Sequence, residues 1–475
     1  MKQDQHLPLR LKVFHGFGSI AYGVKDNGFS TFLLLFYNQV LGMDAGLVSA
    51  ALMLALFIDA FADPIIGYLS DRTYTRFGRR LPWLYAAPIP LALAWIAMWS
   101  PPEGMGGYIF LYLVVIAILV RTLLSCCEVP SVALVPELTQ DYDERTLLMR
   151  FRYLFGWAGG LLMLFLAFGV FLVPDEGHAV GQLNPEGYWA YGLTGGALIA
   201  VAVLFSAAMQ HKRVARWPDK KPDIVTPREA LHEIRESFRN RAFLILMGAA
   251  ATALVAQGVI FSLSNYFYLY VWKFSQTAFN IYPLLLFASV IGAFLLVGPV
   301  TKRFEKPRSA SACMVFSAVV LITPFILRLA GFWPEVGTTV STGLFFVFMF
   351  IANVASVIVM ITGSSMIADV VEDSEVQTGR RSEGLFYAGY FFAQKCATGL
   401  GLFISGLIIS WAGLSEKTNP ADVLPQVVDR LTEAYIVIAL LLALVATAFF
   451  RRFPIGRDDH ARRIGTLAAE SGKTS

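Results

Sequence analysis

Residues 45–70 read AGLVSAALMLALFIDAFADPIIGYLS. About 20 apolar residues are enough to carry an α-helix through the hydrocarbon core of a bilayer, so this run is expected to span a membrane. Only two of its residues ionise, Asp59 and Asp63. Four positions apart, they share one face of the helix. Pro64 follows directly and withdraws the N–H that the carbonyl of residue 60 would accept. Two carboxylates close together in a low dielectric repel, which favours a shared proton or a bound cation. The competing reading is a structural acid pair bonded to a neighbouring helix.

The rest of the chain extends that reading. Of 475 residues, 56% are hydrophobic and 15% charged, with mean hydropathy +0.60. Soluble domains carry roughly 25% charged residues, which excludes that class. Twelve apolar spans are expected, near 17–41, 45–70, 82–100, 106–137, 151–173, 188–209, 241–272, 277–300, 309–329, 336–369, 383–413 and 431–450. In lipid each span must satisfy its own backbone hydrogen bonds, which leaves helices as the economical solution. Met1 to Lys12 is polar and has no cleavage-site pattern, so a retained, cytoplasmic N-terminus is expected. With both termini on one side, 31 of the 38 basic residues fall on that side and 4 on the other. This asymmetry fits the positive-inside rule and an even number of spans. A net charge of +4 scattered over short loops gives no reason to expect a nucleic-acid partner. Cys126, Cys127, Cys313 and Cys396 lie in apolar runs without metal-ligand spacing and read as packing residues.

The basic segment 210–240 separates six spans from six. Thr226 can cap an amphipathic run there, with Pro227 at its first helical position. The expected units are therefore an N-terminal bundle at 1–209, a cytoplasmic linker at 210–240, a C-terminal bundle at 241–450 and a tail at 451–475. A weak internal echo supports duplication: Gly67-Tyr-Leu-Ser-Asp71-Arg72 after the second span, Gly298-Pro-Val-Thr-Lys302-Arg303 after the eighth. Duplicated halves flanking a central cavity are a common transporter plan. A single chain would supply both halves, and a monomer is expected.

Ionisable residues at membrane depth cost about 2.5–3.5 kcal/mol each, so each needs a reason. In the first span, Asp26 is a candidate acceptor for substrate hydroxyls, while Lys25 packs toward another acid or neutralises Asp26 locally. Arg121 and Glu128 in the fourth span are seven apart on one face, with Ser125 between them. Arg152 lies early in the fifth span, and with Lys25 and Arg121 it joins the candidate substrate contacts. Lys395 in the eleventh span needs a carboxylate, and a bridge to Glu128, Asp59 or Asp63 of the other half is expected. Toward the basic side, Asp71, Arg79 and Arg80 follow the second span, and Asp369, Glu372, Asp373, Arg380, Arg381 and Glu383 form a matching charged cluster after the tenth. Both read as ion-paired latches of an inner gate.

These stretches resemble the glycoside–pentoside–hexuronide:cation symporters, a branch of the major facilitator superfamily whose best-studied member is melibiose permease. The resemblance rests on Tyr22-Gly-Val-Lys-Asp26-Asn-Gly, on Ile58-Asp59-Ala-Phe-Ala-Asp63-Pro64, and on Asp71 to Trp83. Glu128-Val-Pro130, Pro136 to Thr146, Ile367 to Asp373 and Thr378 to Phe386, with Lys395 beyond, complete it. It implies a twelve-helix fold in two halves, with Asp59 and Asp63 as the cation site assisted by Ser125. It also implies that Asp26, Glu128 and Arg152 face the sugar and that Lys395 couples the two sites. The coupling ion is H⁺ or Na⁺, and no other cofactor is implied. Three positions depart from melibiose permeases: Leu56 replaces an arginine, Ala62 an asparagine of the cation site, and Val132 a tryptophan that stacks on the sugar. The lost neutral oxygen tilts the ion toward H⁺.

The leading expectation is cation-coupled uptake of a sugar, glycoside or uronide across a bacterial inner membrane. Transport of a lysolipid or another amphiphile is the alternative, because animal lysolipid transporters share the fold and the acid pair. A membrane enzyme finds no support, since no histidine pair, HExxH, G-x-S-x-G or metal-spaced cysteines occur in the spans.

Overall fold

The second span forms as a single helix, Ala45–Arg72, begun by Asp44, whose carboxylate accepts the Leu47 N–H at 2.9 Å. In the computed structural model, which describes residues 7–139, 141–215, 241–378 and 383–454, the other spans follow in the expected order. They include Ile109–Ala133, Tyr142–Leu166, Pro185–Val214, Arg241–Tyr266, Gln276–Phe304, Lys306–Leu329, Thr339–Thr378, Glu383–Ala412 and Pro425–Arg451. Among the described residues, ten helices are long and apolar enough to cross a bilayer. The first and third spans complete the twelve in pieces. The third is split into Leu81–Ala86 and Pro88–Trp99, because Pro88 and Pro90 cannot donate to the preceding turn. The linker after residue 215, including Thr226 and Pro227, and the tail from 455 lie outside the described residues.

The first span starts earlier than its hydropathy suggests. Leu9–Phe17 and Ile20–Asn27 are joined through Gly18 and Ser19, then pass into π-helical turns at Gly28–Phe32 and Phe36–Val40. Widened turns also end the fifth span, at Ala167–Phe171, and the seventh, at Phe267–Val271. The fifth span likewise begins at Tyr142 rather than near 151, because the Asp141 side chain caps it by accepting the Glu144 N–H at 2.9 Å.

Large apolar side chains line the outside. Phe294, Leu295, Val437 and Leu444 are all more than 60% exposed, an arrangement suited to lipid and costly in water. The inside of the N-terminal half is aromatic: Trp95, Trp99, Tyr188 and Tyr191 are fully buried, with the Trp99 and Tyr188 rings stacked at 5.7 Å. The fold is an all-helical membrane fold of two six-span halves, as expected from the sequence.

Two seams position the site. The first span crosses the fifth on glycine: a Cβ at Gly23 would lie 1.8 Å from the Gly156 carbonyl oxygen and 2.6 Å from the Gly160 nitrogen. The second span meets the eleventh across the halves in the same way, since a Cβ at Gly406 would lie 2.0 Å from Ser49 Oγ. Lower on this seam the Phe61 and Phe392 rings meet edge-on at 5.1 Å. Overpacking of this kind costs about 1–3 kcal/mol or more. Gly23→Ala is therefore expected to lower the thermal unfolding temperature of the detergent-purified protein by several degrees. An unchanged midpoint would show that the crossing is looser than described.

Candidate functional site

Asp59 and Asp63 project from one face of the second span, at the seam with the eleventh. The Asp59 side chain is 3% exposed and its oxygens are fully engaged. Oδ1 accepts from Ser125 Oγ at 2.8 Å; Oδ2 accepts from Arg121 Nε at 2.9 Å and lies 2.9 Å from Lys395 Nζ. Asp63 is more open, at 27% exposure, and its Oδ2 accepts from Lys395 Nζ at 2.6 Å. Its Oδ1 is buried without a hydrogen-bond partner among the described residues. One lysine of the C-terminal half thus sits between two carboxylates of the N-terminal half. Of the acids that sequence reasoning offered to Lys395, the two on the second span take it.

Arg121 departs from its expected role. Its guanidinium binds Asp59 and packs 5.0 Å from the centroid of the buried Phe29 ring. The helical spacing of Arg121 and Ser125, one turn apart, lets one helix hold both oxygens of Asp59. Leu56, at the position where the resemblance implies an arginine, is buried at 3% exposure. Arg121 supplies the guanidinium from a neighbouring helix instead.

The other candidates sort by exposure. Lys25 is buried and pairs with its neighbour Asp26. This is local neutralisation, not contact with a distant acid, although Asp59 and Glu128 lie within its electrostatic reach. Asp26 itself is 67% exposed, and Glu128 is half-buried. Arg152, implied to face the sugar, is 5% exposed. It donates to Ser131 Oγ at 2.6 Å and sits 5.3 Å from the Tyr22 ring, so it braces the first, fourth and fifth spans. Asp59, Asp63, Asp26 and Glu128 are thus set against Arg121, Lys395, Lys25 and Arg152. The formal charge of the cluster cancels.

Sequence reasoning missed a polar file beneath these residues. Lys12 Nζ lies 2.9–3.0 Å from both Glu144 oxygens, and one of them also accepts the Leu7 N–H at 3.1 Å. His15, fully buried, shares its Nδ1 with Gln210 Oε1 at 2.9 Å, and Gln210 is anchored on Ser206. The Asp141-x-x-Glu144 pattern of a helix start was the available signal. At the basic end, Arg80 takes Asp71, Ser70 Oγ at 2.6 Å and Glu137 at 3.4 Å, while Lys306 takes Asp369 at 2.6 Å. These pairs lie within each half. Arg79 also has a partner. Asp373 and Glu383 fall on the tenth and eleventh helices, and Arg380 and Arg381 lie outside the described residues.

At the far end the halves are held by neutral hydrogen bonds. Asn265 Nδ2 donates to the Thr31 carbonyl at 2.8 Å, and Tyr266 OH to Asn38 Oδ1 at 2.9 Å. Tyr270 OH donates to Gln39 Oε1 at 3.0 Å, and Gln39 Nε2 to the Ser415 carbonyl at 3.1 Å.

This fold and cluster define a class: two helical bundles with a charge-balanced cluster at their seam, bridged by the pairs of Lys395 with Asp59 and Asp63. The family described as MFS/sugar transport protein matches residues 14–457, and the chain belongs to it. An uncharacterized symporter of Synechocystis is 27% identical, with 89% of each chain covered. An isoprimeverose transporter of Lactiplantibacillus pentosus is 26% identical over 81% of this chain and 76% of its own. A sodium-dependent lysophosphatidylcholine symporter of Gallus gallus is 23% identical, over 99% and 92%. The crystal structure of a D-xylose–proton symporter shares the fold, with TM-score 0.65 at 14% identity over 93% of this chain and 97% of that one.

Replacing Gln39 by Leu removes the shared acceptor and donor of the far-end seam. A cysteine placed at Asn265 in that background is expected to react several-fold faster with a membrane-impermeant maleimide added from the far side. Equal rates with and without the Leu substitution would show that Gln39 does not hold the seam.

Proposed function

We propose that this protein is a secondary active transporter of the bacterial inner membrane, coupling a cation gradient to uptake of a sugar, glycoside or uronide. One observation carries the reading: Lys395 of one half is held by Asp59 and Asp63 of the other, at 2.9 and 2.6 Å. A buried pair of this kind is strongly destabilised when one partner is removed, so the halves cannot part while both carboxylates stay charged and uncompensated. A cation arriving at Asp63 takes over the compensation and releases Lys395. The halves then rock about the cavity by alternating access, with the basic loops and both termini cytoplasmic.

Asp26 and Glu128 present carboxylate oxygens to the cavity, where they accept hydroxyl hydrogen bonds from a polyol. Hydrogen bonds to a charged acceptor are among the stronger ones, which suits selection of a hydroxylated solute from water. Lys25 and Arg152 act from behind, offsetting the charge without reaching the solute. The inner-gate residues Asp71 and Arg80, and Asp369 with Lys306, stiffen each half at the basic end. The working unit is a monomer in the lipid bilayer.

A second reading, transport of a lysolipid or similar amphiphile, is favoured by the Gallus gallus relative and by Val132. That side chain is 41% exposed where the resemblance implies a stacking tryptophan. A wall without a stacking ring admits an acyl chain.

In proteoliposomes, Asp63→Asn is expected to abolish accumulation against a gradient, a loss of at least tenfold, while exchange of solute continues. Lys395→Ala is expected to keep solute binding and lose concentrative uptake. Accumulation by either variant at the wild-type level contradicts the coupling role, and a shift of ligand-induced stabilisation from glycosides to lysolipids selects the second reading.

A further inference from the structure

We infer that Arg121 sets ion selectivity by standing in the coupling site as a resident cation, so that sodium is excluded. The inference rests on the proposed role of the Asp59–Asp63 pair. A hard metal cation needs several oxygen ligands at once, drawn from carboxylates, carbonyls or hydroxyls. Of the four oxygens of this pair, three are engaged. Asp59 Oδ1 accepts from Ser125, Asp59 Oδ2 meets both Arg121 and Lys395, and Asp63 Oδ2 meets Lys395. Asp63 Oδ1 is the oxygen left over among the described residues.

Lys395 can leave, because it belongs to the other half and its side chain is 17% exposed. Arg121 cannot. It is buried at 6% side-chain exposure, clamped by Asp59 and the Phe29 ring, and a guanidinium does not give up its proton in a protein. A sodium ion bridging Asp59 and Asp63 would therefore lie within a few ångströms of a permanent positive charge, in a site largely closed to water. The Lys395 ammonium meets Asp59 Oδ2 at the same distance as Arg121, so charge alone does not bar a cation here; sodium, unlike an ammonium, must also gather several oxygens, and Arg121 and Ser125 already hold both of those on Asp59. Ala62, beside Asp63, adds no side-chain oxygen to offset this. The residues present do not fit a sodium ion. A proton needs one oxygen, and the open one on Asp63 suffices. The charged groups acting on this pair are Arg121 of the fourth span, Lys395 of the eleventh and Lys25 of the first.

The test is thermal unfolding of the purified full-length protein at constant pH and ionic strength, with choline replaced by sodium. The wild-type midpoint is expected to stay fixed. In Arg121→Gln, which keeps a hydrogen-bond donor near Asp59 without the charge, sodium is expected to raise the midpoint by roughly 1–3 °C through selective binding to the folded state. A sodium-dependent rise in the wild type overturns the inference with no reference to any variant. A folded Arg121→Gln protein that ignores sodium overturns the assignment to Arg121. Proteoliposomes charged with a proton gradient and free of sodium supply the separate arm. Glycoside uptake there supports the inference; if neither a proton nor a sodium gradient drives uptake of any glycoside, the proposed function fails while the unfolding result still stands.

Discussion

Asp59, Asp63, Arg121 and Lys395 form one charge-balanced knot at the seam between the two halves, and much of the molecule is arranged around its cost. Each of these ions would be expensive alone at membrane depth, by about 2.5–3.5 kcal/mol on insertion scales. Together they compensate through contacts of 2.6–2.9 Å. Three of them come from the N-terminal half and one from the C-terminal half. That unequal division matters, because separating the halves leaves a net negative charge on one side and a bare ammonium on the other. On the coupling role proposed for this cluster, a replacement cation offsets that charge as the seam opens.

The opposite end of the seam is built from different chemistry. Asn265, Tyr266, Tyr270 and Gln39 join the halves through neutral groups at 2.8–3.1 Å. A neutral hydrogen bond contributes about 0.5–1.5 kcal/mol net, because water replaces it readily. Such a seam opens when water enters and needs no ion. The glycine contacts at Gly406 and Gly399 let the second and eleventh spans approach closely between these two regions. The seam therefore joins the halves through charged contacts in the middle and neutral ones at the far end.

The twelve spans were legible because hydropathy alone measures what lipid demands. The acid pair was legible because two carboxylates are too costly in an apolar run to stand there without a cation, a proton or a basic partner. The starts of the first and fifth spans were not, since polar residues such as Lys12, His15 and Glu144 look like loop when their partners are unknown. Each is buried by a residue more than a hundred positions away, a relation that no local window contains. Arg121 was hidden for the same reason. Its spacing from Ser125 and Glu128 placed it on a functional face, but a helical face is wide enough to point at either the cavity or the neighbouring helix. Leu56 in place of an arginine was visible; that Arg121 binds Asp59 required three dimensions.

The distribution of exposure within the cluster bears on what the cavity can select. Asp26 at 67% exposure and the half-buried Glu128 are the more accessible ions of the cluster, whereas Lys25, Arg121 and Arg152 are all buried. Buried cations beneath exposed carboxylates lower the cost of holding those carboxylates ionised, and they leave the acceptor oxygens free. An acceptor-rich surface binds hydroxyls well and repels anions. On the proposed function, acidic solutes gain a counter-charge when Lys395 is released from Asp63, which ties their binding to arrival of the cation more tightly than that of neutral ones. Coupling and selectivity then follow from one device, a lysine shared between two acids until something else takes its place.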